Sequence, residues 1–168
     1  MTAGTVLEIF TTSAAGEPMM AQTEAEAIPG KGLAGDRYAR GSGFYSQTPI
    51  TAGARELTLI DAAAITQITT ETGLPFSTVE SRRNLITTGA DLDALIGRTF
   101  SIGDVICEGV RPCPPCVHLE ELTGKKVMKA LTRTGGLRAR IVQGGTIRIG
   151  DTITTLGPAI GPSVGKHE

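Results

Sequence analysis

Short runs of alternating or β-branched hydrophobic residues, separated by glycine and polar turns, cover most of the chain. Runs of this length and composition are typical of strands in a barrel or a folded sheet. They do not alternate regularly with long helices, which disfavours a doubly wound parallel sheet. The sequence therefore predicts a mainly β fold with a few short covering helices. The clearest predicted strands are residues 5–10, 55–60, 84–87 and 138–142.

Two segments of the sequence resemble each other weakly, TFSIGDVI at 99–106 and TIRIGDTI at 146–153. Each has a glycine, Gly103 or Gly150, at the position where a tight turn favours a positive φ. Both segments are therefore predicted to form β-hairpins.

Three short helices are also predicted. Asp61 can cap AAAITQITTET, and Gly73 follows where that helix should end. Asp91 can cap a single turn in DLDALIG, and KKVMKALTR at 125–133 stops before a glycine pair. We expect these helices to cover a sheet.

The length of 168 residues suits one domain, which we place at residues 1–157 with a flexible C-terminal tail at 158–168. No window approaches the run of about 18 apolar residues that a membrane-spanning helix needs. The first residues lack the features of a secretory signal. We therefore expect a cytoplasmic protein with reduced cysteines and no membrane partner.

The charge balance indicates that any anion site is local. The net charge is −1, from 16 basic and 17 acidic residues, and the chain has no tryptophan. Neither a basic surface nor aromatic stacking platforms are indicated, so we expect no nucleic-acid partner. The glycine motifs of dinucleotide sites and P-loops are absent from the sequence.

The most distinctive chemistry lies in RPCPPCVHLEELTG, residues 111–124. The two prolines between Cys113 and Cys116 favour an extended chain spanning about 9 Å. A disulfide holds its Cα atoms within about 7 Å. We therefore predict no disulfide between these two cysteines.

Two chemical roles for the thiols stay open at this point. Cys107, Cys113, Cys116 and His118 could bind zinc, although their spacing is unlike that of zinc ribbons. Alternatively, Cys116 is a single functional thiolate, stabilised by the helical turn VHLEEL that follows it. Such a thiolate serves as a nucleophile, a persulfide carrier or a soft-metal ligand. The competing interpretations are that Cys116 is a buried structural residue and His118 a surface residue rather than a proton-transfer group.

Taken together, five segments resemble a stand-alone MOSC domain, the family named after the C-terminal domain of molybdenum cofactor sulfurase. Their order and spacing carry the resemblance, which covers most of the chain and implies a MOSC-type β-barrel. The segments are GLAGDRYARGSG (32–43), RELTLID (55–61), SRRNLITTGADLDALIGRTFSIGD (81–104), PCPPCVHLEELTG (112–124) and GGLRARIVQGGTIRIGD (135–151).

The resemblance implies that the protein holds a molybdenum cofactor (molybdopterin) or carries sulfur, in either case through Cys116. In family members that reduce N-hydroxylated substrates, an Arg-x-Asn motif helps to hold the pterin, and it corresponds here to Arg82 and Asn84. Cys116 and His118 are then the candidate catalytic residues, and Cys116 is the candidate molybdenum ligand. The further candidates for cofactor binding, each of which could instead be an ordinary surface residue, are Asp36, Arg37, Arg83 and Arg138.

Three functions are compatible with this resemblance. A molybdenum enzyme would reduce a small N-hydroxylated molecule with electrons from a partner reductase. A sulfur carrier would accept a persulfide from a cysteine desulfurase and deliver it to a metal-sulfur cluster or a cofactor under assembly. A non-catalytic pterin-binding module would bind the cofactor without needing Cys116.

Overall fold

The computed structural model describes residues 3–41, 43, 53–113, 124 and 135–158. Strands dominate this part of the chain. In chain order they are β1 (Ala3–Thr11), β2 (Met20–Gln22), β3 (Glu24–Ile28), β4 (Gly32–Leu33), β5 (Leu57–Asp61), β6 (Leu85–Thr88), β7 (Arg98–Ile102), β8 (Val105–Pro112), β9 (Leu137–Gln143), β10 (Gly145–Arg148) and β11 (Thr152–Pro158). The helices are α1 (Arg37–Arg40) and α2 (Ala62–Thr72), with 3-10 turns at Val79–Ser81 and Asp93–Leu95.

Seven strands close into a barrel in the order β11-β7-β8-β9-β5-β6-β1, because β1 and β11 also pair and join the two ends. Neighbouring strands are antiparallel except β5 and β6, which run parallel and are connected through α2. β2 extends the sheet beside β1, and β10, β3 and β4 form a second, three-stranded sheet. The predicted β-barrel with few short helices is thus confirmed.

Alternation along the strands divides the barrel into an inner and an outer face. In β9, Leu137, Ala139 and Ile141 are buried, whereas Arg138 and Arg140 between them are half-buried. Successive side chains of a strand point to opposite faces, so the apolar residues fill the interior. A separate apolar cluster forms where α2 packs against the outside of the barrel. Its largest members are Phe10, Met19, Ile60, Ile65, Ile68, Phe76 and Ile86.

The predicted cap of α2 is confirmed in detail. Asp61 accepts a 2.7 Å hydrogen bond from the backbone N–H of Ala63, and Gly73 ends the helix with φ of 72°. Asp91 likewise accepts from the backbone N–H of Ala94 in the second 3-10 turn. The helix predicted at 125–133 lies outside the described residues. Neither α-helix in the described part of the chain has the length and apolar character to span a membrane.

Of the two predicted hairpins, the first is confirmed and the second is wrong. Gly103 has φ of 58° and connects the paired strands β7 and β8. Gly150 also has a positive φ, of 94°, but the strands on either side of it do not pair with each other. β10 pairs with β3, and β11 pairs with β7 and β1. The second turn therefore carries the chain from the small sheet into the barrel.

Candidate functional site

Both ends of the segment 114–134, which carries Cys116 and His118, are held together at one end of the barrel. The backbone N–H of Cys113 donates a 2.8 Å hydrogen bond to the carbonyl of Gly136. Cys116 and His118 themselves lie outside the described residues, so their assigned roles stay predictions. Consecutive Cα atoms are 3.8 Å apart, however, so the Cα of Cys116 is at most about 11 Å from that of Cys113. The surroundings of Cys113 therefore define the candidate site.

Arg83 forms one wall of these surroundings and is buried, with 8% of the residue exposed. Its Nη2 donates to the carbonyl of Cys113 at 3.1 Å, and its Nε donates to the carbonyl of Gly135 at 2.8 Å. Nη1 donates to the carbonyl of Ser81 at 3.2 Å. The guanidinium therefore joins the start of β6 to both ends of the segment 114–134.

Arg82 has the left-handed backbone conformation, with φ of 59°, and is the one non-glycine residue with positive φ among those that the structure describes. This conformation costs a side-chain-bearing residue on the order of 1 kcal/mol. The half-buried guanidinium donates to the carbonyl of Glu17 at 3.0 Å. Within the described part of the chain, this contact uses one of its five N–H donors. Burial, followed by repulsion from Arg37, lowers the pKa of Arg82 from its ordinary value.

Asp36 and Arg37 lie against this arginine. Asp36 caps α1 and accepts hydrogen bonds from the backbone N–H groups of Thr12 and Tyr38. Arg37 lies 3.4 Å from the Asp36 carboxylate, stacks 4.9 Å from the centroid of the Tyr38 ring, and donates to the carbonyl of Arg82 at 3.2 Å. Arg37 therefore joins the buried carboxylate of Asp36 to the backbone of Arg82.

The side chain of Asn84 connects three strands of the barrel. Its Oδ1 accepts from the backbone N–H and the hydroxyl of Thr58, and its Nδ2 donates to the carbonyl of Phe10 at 3.1 Å. Arg138 is the ladder partner of Thr58 on β9, and its Nη1 donates to the carbonyl of Ala54. The six predicted cofactor residues therefore lie along one chain of contacts, with Arg138 at its far end.

The zinc set that includes Cys107 does not fit this geometry. Cys107 is fully buried in the barrel core, and burial raises the pKa of its thiol far above the usual range. Zinc requires a thiolate. Cys113 follows the end of β8, six residues after Cys107 and about 20 Å away for an extended strand, so the two sulfurs cannot share one metal ion. Cys113 is a free thiol, 2% exposed, in agreement with the prediction that it forms no disulfide.

Two buried carboxylates were missed from the sequence. Oε1 of Glu56 accepts from the backbone N–H groups of Gly30 and Ile141, and burial raises its pKa from 4.5. Glu108 pairs with Arg140 at 2.6 Å and 2.8 Å. A lone glutamate in a strand run normally marks an exposed face, so no local signal distinguishes these residues.

The fold and the contacts of Arg83 define a small β-barrel protein in which one buried arginine contacts both ends of a cysteine-bearing segment. The chain belongs to the MOSC domain family, whose model matches residues 34–154. The family is associated with the molybdenum cofactor.

Solved structures share this fold across almost the whole chain. The YuaD protein of Bacillus subtilis superposes with a TM-score of 0.76 at 14% identity, over 94% of this chain and 97% of that one. YiiM of Geobacillus stearothermophilus gives 0.70 at 14% identity, over 94% and 77% of the two chains. YiiM of Escherichia coli gives 0.64 at 16% identity, over 96% and 74%. At these identities the likeness concerns the fold alone, and no curated protein matches the chain.

Proposed function

We propose that the protein binds a molybdenum cofactor beside Arg37 and Arg82, with Cys116 as the protein ligand to the metal. Family membership supports the class of cofactor. The contacts of Arg37 and Arg82 support its location.

The observation that carries the proposal is that Arg82 combines a left-handed backbone conformation with a destabilised charge. Its backbone is held in a left-handed conformation, and Arg37 donates to its carbonyl. The pKa of its guanidinium is lowered by burial and by the neighbouring Arg37, which means that the charged form is destabilised. An anion between the two guanidinium groups would relieve this repulsion and accept from the N–H donors of Arg82 that have no partner among the described residues.

The donor set fits a molybdopterin. Guanidinium groups suit its terminal phosphate, and a thiolate suits its soft metal. Among the described residues, the amide nitrogen of Asn84 donates only to the carbonyl of Phe10, so its second N–H is available for the pterin. Asp36, which accepts from Arg37, would keep that guanidinium in place. Arg138 would contribute at the edge of the site.

The proposed reaction is reduction of a small N-hydroxylated substrate. When bound, the cofactor supplies the redox chemistry that removes the hydroxyl oxygen, with electrons from a partner reductase. The protein's part is to hold the cofactor through Cys116 and the arginines, and to supply a proton from His118.

The test is metal and pterin analysis of protein expressed with ample molybdate. Wild-type protein is expected to contain molybdenum and pterin in proportion to protein, and Cys116→Ala and Arg82→Gly to lose most of both. Arg148→Ala, which removes an exposed arginine at the end of β10, is the matched control and should retain both. Full retention of molybdenum by the Cys116→Ala variant would exclude Cys116 as the ligand.

The same samples distinguish the sulfur-carrier alternative. Wild-type protein without molybdenum or pterin, but with one additional sulfur atom on Cys116 after incubation with a cysteine desulfurase, would replace the proposal with persulfide transfer. Cofactor that persists without Cys116 and supports no reductase activity would instead indicate a non-catalytic pterin-binding module.

A further inference from the structure

We infer that Thr12 is a positioning residue for Arg82, because its hydroxyl holds the carbonyl group to which the Arg82 guanidinium donates. The inference rests on the proposed function in one respect, since it takes Arg82 as a residue that binds an anion. Thr12 lies outside residues 34–154, which the family model matches, and in none of the five segments that carry the resemblance.

The first support is a carbonyl group shared by two donors. The hydroxyl of Thr12 donates to the carbonyl oxygen of Glu17 at 3.3 Å, and Nη1 of Arg82 donates to the same oxygen at 3.0 Å. A carbonyl oxygen has two lone pairs and can accept both bonds at once. The position of this oxygen therefore depends on Thr12 and determines where the guanidinium of Arg82 is held.

The second support is that Thr12 is itself held in place. The residue is 4% exposed, and its backbone N–H donates to Oδ1 of Asp36 at 3.1 Å. Asp36 is buried and caps α1. Nη1 of Arg37 lies 3.4 Å from the same carboxylate oxygen. One buried carboxylate therefore fixes both Thr12 and the second arginine of the proposed site.

The third support is the open surroundings of Glu17, which lies in the loop between β1 and β2 and is exposed. Its backbone N–H closes a turn on the carbonyl of Ala14 at 3.3 Å, with Gly16 at φ of 79°. Thr12 and Glu17 both line an open cavity of about 530 Å³. Because empty space adjoins this loop, packing alone does not fix the Glu17 carbonyl, and the hydroxyl of Thr12 supplies a restraint.

The fourth support is that the backbone of Arg82 is also fixed. Its N–H donates to the carbonyl of Val79 at 3.2 Å, and its carbonyl accepts from Nη2 of Arg37 at 3.2 Å. An arginine side chain has several rotatable bonds and loses entropy when it is ordered. The bond to Glu17 fixes the far end of the side chain, so part of this entropy is lost before an anion binds. Preorganisation of this kind raises affinity.

Nuclear magnetic resonance of the arginine side chains tests the restraint without any added cofactor. Thr12→Val removes the hydroxyl and keeps a branched side chain of similar size. We expect the order parameter of the Arg82 Nε–H to fall below about 0.6, the range of flexible groups. The Nε–H of Arg83, which donates to the carbonyl of Gly135, should remain ordered. Thr12→Ser keeps the hydroxyl and should behave like the wild type.

Thr11→Val is the matched control. Thr11 is also buried, but its hydroxyl oxygen accepts from Nε2 of Gln22 at 3.2 Å, so this variant should leave the order of Arg82 unchanged. An Arg82 side chain that stays ordered in Thr12→Val would overturn the inference.

Equal loss of order at Arg83 would also overturn it, because Thr12 would then be a general stabilising residue. If Thr12→Val does not fold, Thr12→Ala removes the hydroxyl without placing a second methyl group in the buried position. Failure of both variants to fold would count against the inference for the same reason.

Titration with inorganic phosphate connects the restraint to binding. Phosphate should shift the Arg82 Nε–H resonance of the wild type, and Thr12→Val should raise the dissociation constant about three- to tenfold, as expected for the loss of one hydrogen bond. An unchanged dissociation constant would show that the restraint serves no binding and would overturn the inference. Wild-type protein that binds no phosphate, combined with loss of order at Arg82 in Thr12→Val, would refute the anion site of the proposed function, whereas the hold of Thr12 on Arg82 would stand.

Discussion

Arg82 combines an unfavourable backbone conformation with a guanidinium whose charge is destabilised by its surroundings. Glycine adopts this φ without strain, so Arg82→Gly should unfold at the same denaturant concentration as the wild type or a higher one. Arg82→Ala keeps the strain and should be less stable than Arg82→Gly by about 1 kcal/mol. Urea denaturation measures both effects.

Both variants should nevertheless lose molybdenum to the same extent, because both lack the guanidinium. If the two variants differ in stability but not in cofactor content, the guanidinium of Arg82 serves cofactor binding and not folding. An Arg82→Gly protein with full molybdenum content would contradict the assignment.

Glu56 gives the stability of the protein a specific pH dependence. Burial raises its pKa in the folded protein above 4.5, so the folded state binds this proton more tightly than the unfolded chain. The stabilisation that protonated Glu56 gives the folded protein is complete below the pKa that Glu56 has in the unfolded chain. It is lost as the pH rises through the pKa of Glu56 in the folded protein. Glu56→Gln keeps an oxygen acceptor for Gly30 and Ile141 without the charge. Its stability relative to the wild type should therefore increase as the pH rises from about 4.5 through the raised pKa of folded Glu56.

Denaturation of both proteins across this range measures the difference, and a difference that does not vary with pH would rule out Glu56 as its source. Glu56→Ala is the control for the acceptor role. It leaves the N–H groups of Gly30 and Ile141 without this acceptor and should cost about 1–3 kcal/mol for each group at every pH.

At the scale of the elements, two ion pairs are expected to contribute very differently to the stability of the protein. Glu108 and Arg140 link β8 to β9, with side chains 3% and 25% exposed, whereas the Glu24 and Arg148 side chains are each 59% exposed. Arg140→Ala leaves a buried carboxylate without this partner and should cost about 3–5 kcal/mol. Arg148→Ala should cost less than about 1 kcal/mol. Equal losses in denaturation experiments would show that burial does not distinguish the pairs.

The strands were predictable from sequence because alternation reports directly which residues face a core. Alternation does not report the pairing partner, so the turn at Gly150 was wrongly expected to join two paired strands. The buried carboxylates were missed for a related reason. The bond of Glu56 to Ile141 spans 85 residues, and that of Glu108 to Arg140 spans 32.

The candidate site was identified through the family resemblance and not through local pattern. An arginine in isolation is expected at the surface, and the burial of Arg37 and Arg83 depends on partners between 18 and 52 residues away. The resemblance supplied the motif of Arg82 and Asn84. The different contacts of Arg83 became visible only when Cys113 and Gly135 were brought together by the fold.

At the scale of the whole molecule, closure of the barrel depends on the last described strand. β11 pairs with β7 on one side and with β1 on the other, with Thr154 opposite Ala3. Truncation after Asp151 removes this strand together with its buried Ile153 and exposes the edges of two neighbours. We expect that variant to aggregate or to remain unfolded.

Truncation after Pro158 removes residues 159–168 of the predicted flexible tail and keeps every strand that the structure describes. This variant should retain the thermal midpoint of the full-length protein to within about 2 °C, since surface changes usually alter stability by less than about 0.5 kcal/mol. Thermal unfolding of the two truncated proteins beside the full chain decides both points. A large loss of stability on removing 159–168 would show that the tail packs on the barrel, and a folded protein lacking β11 would show that closure is not required for this barrel to fold.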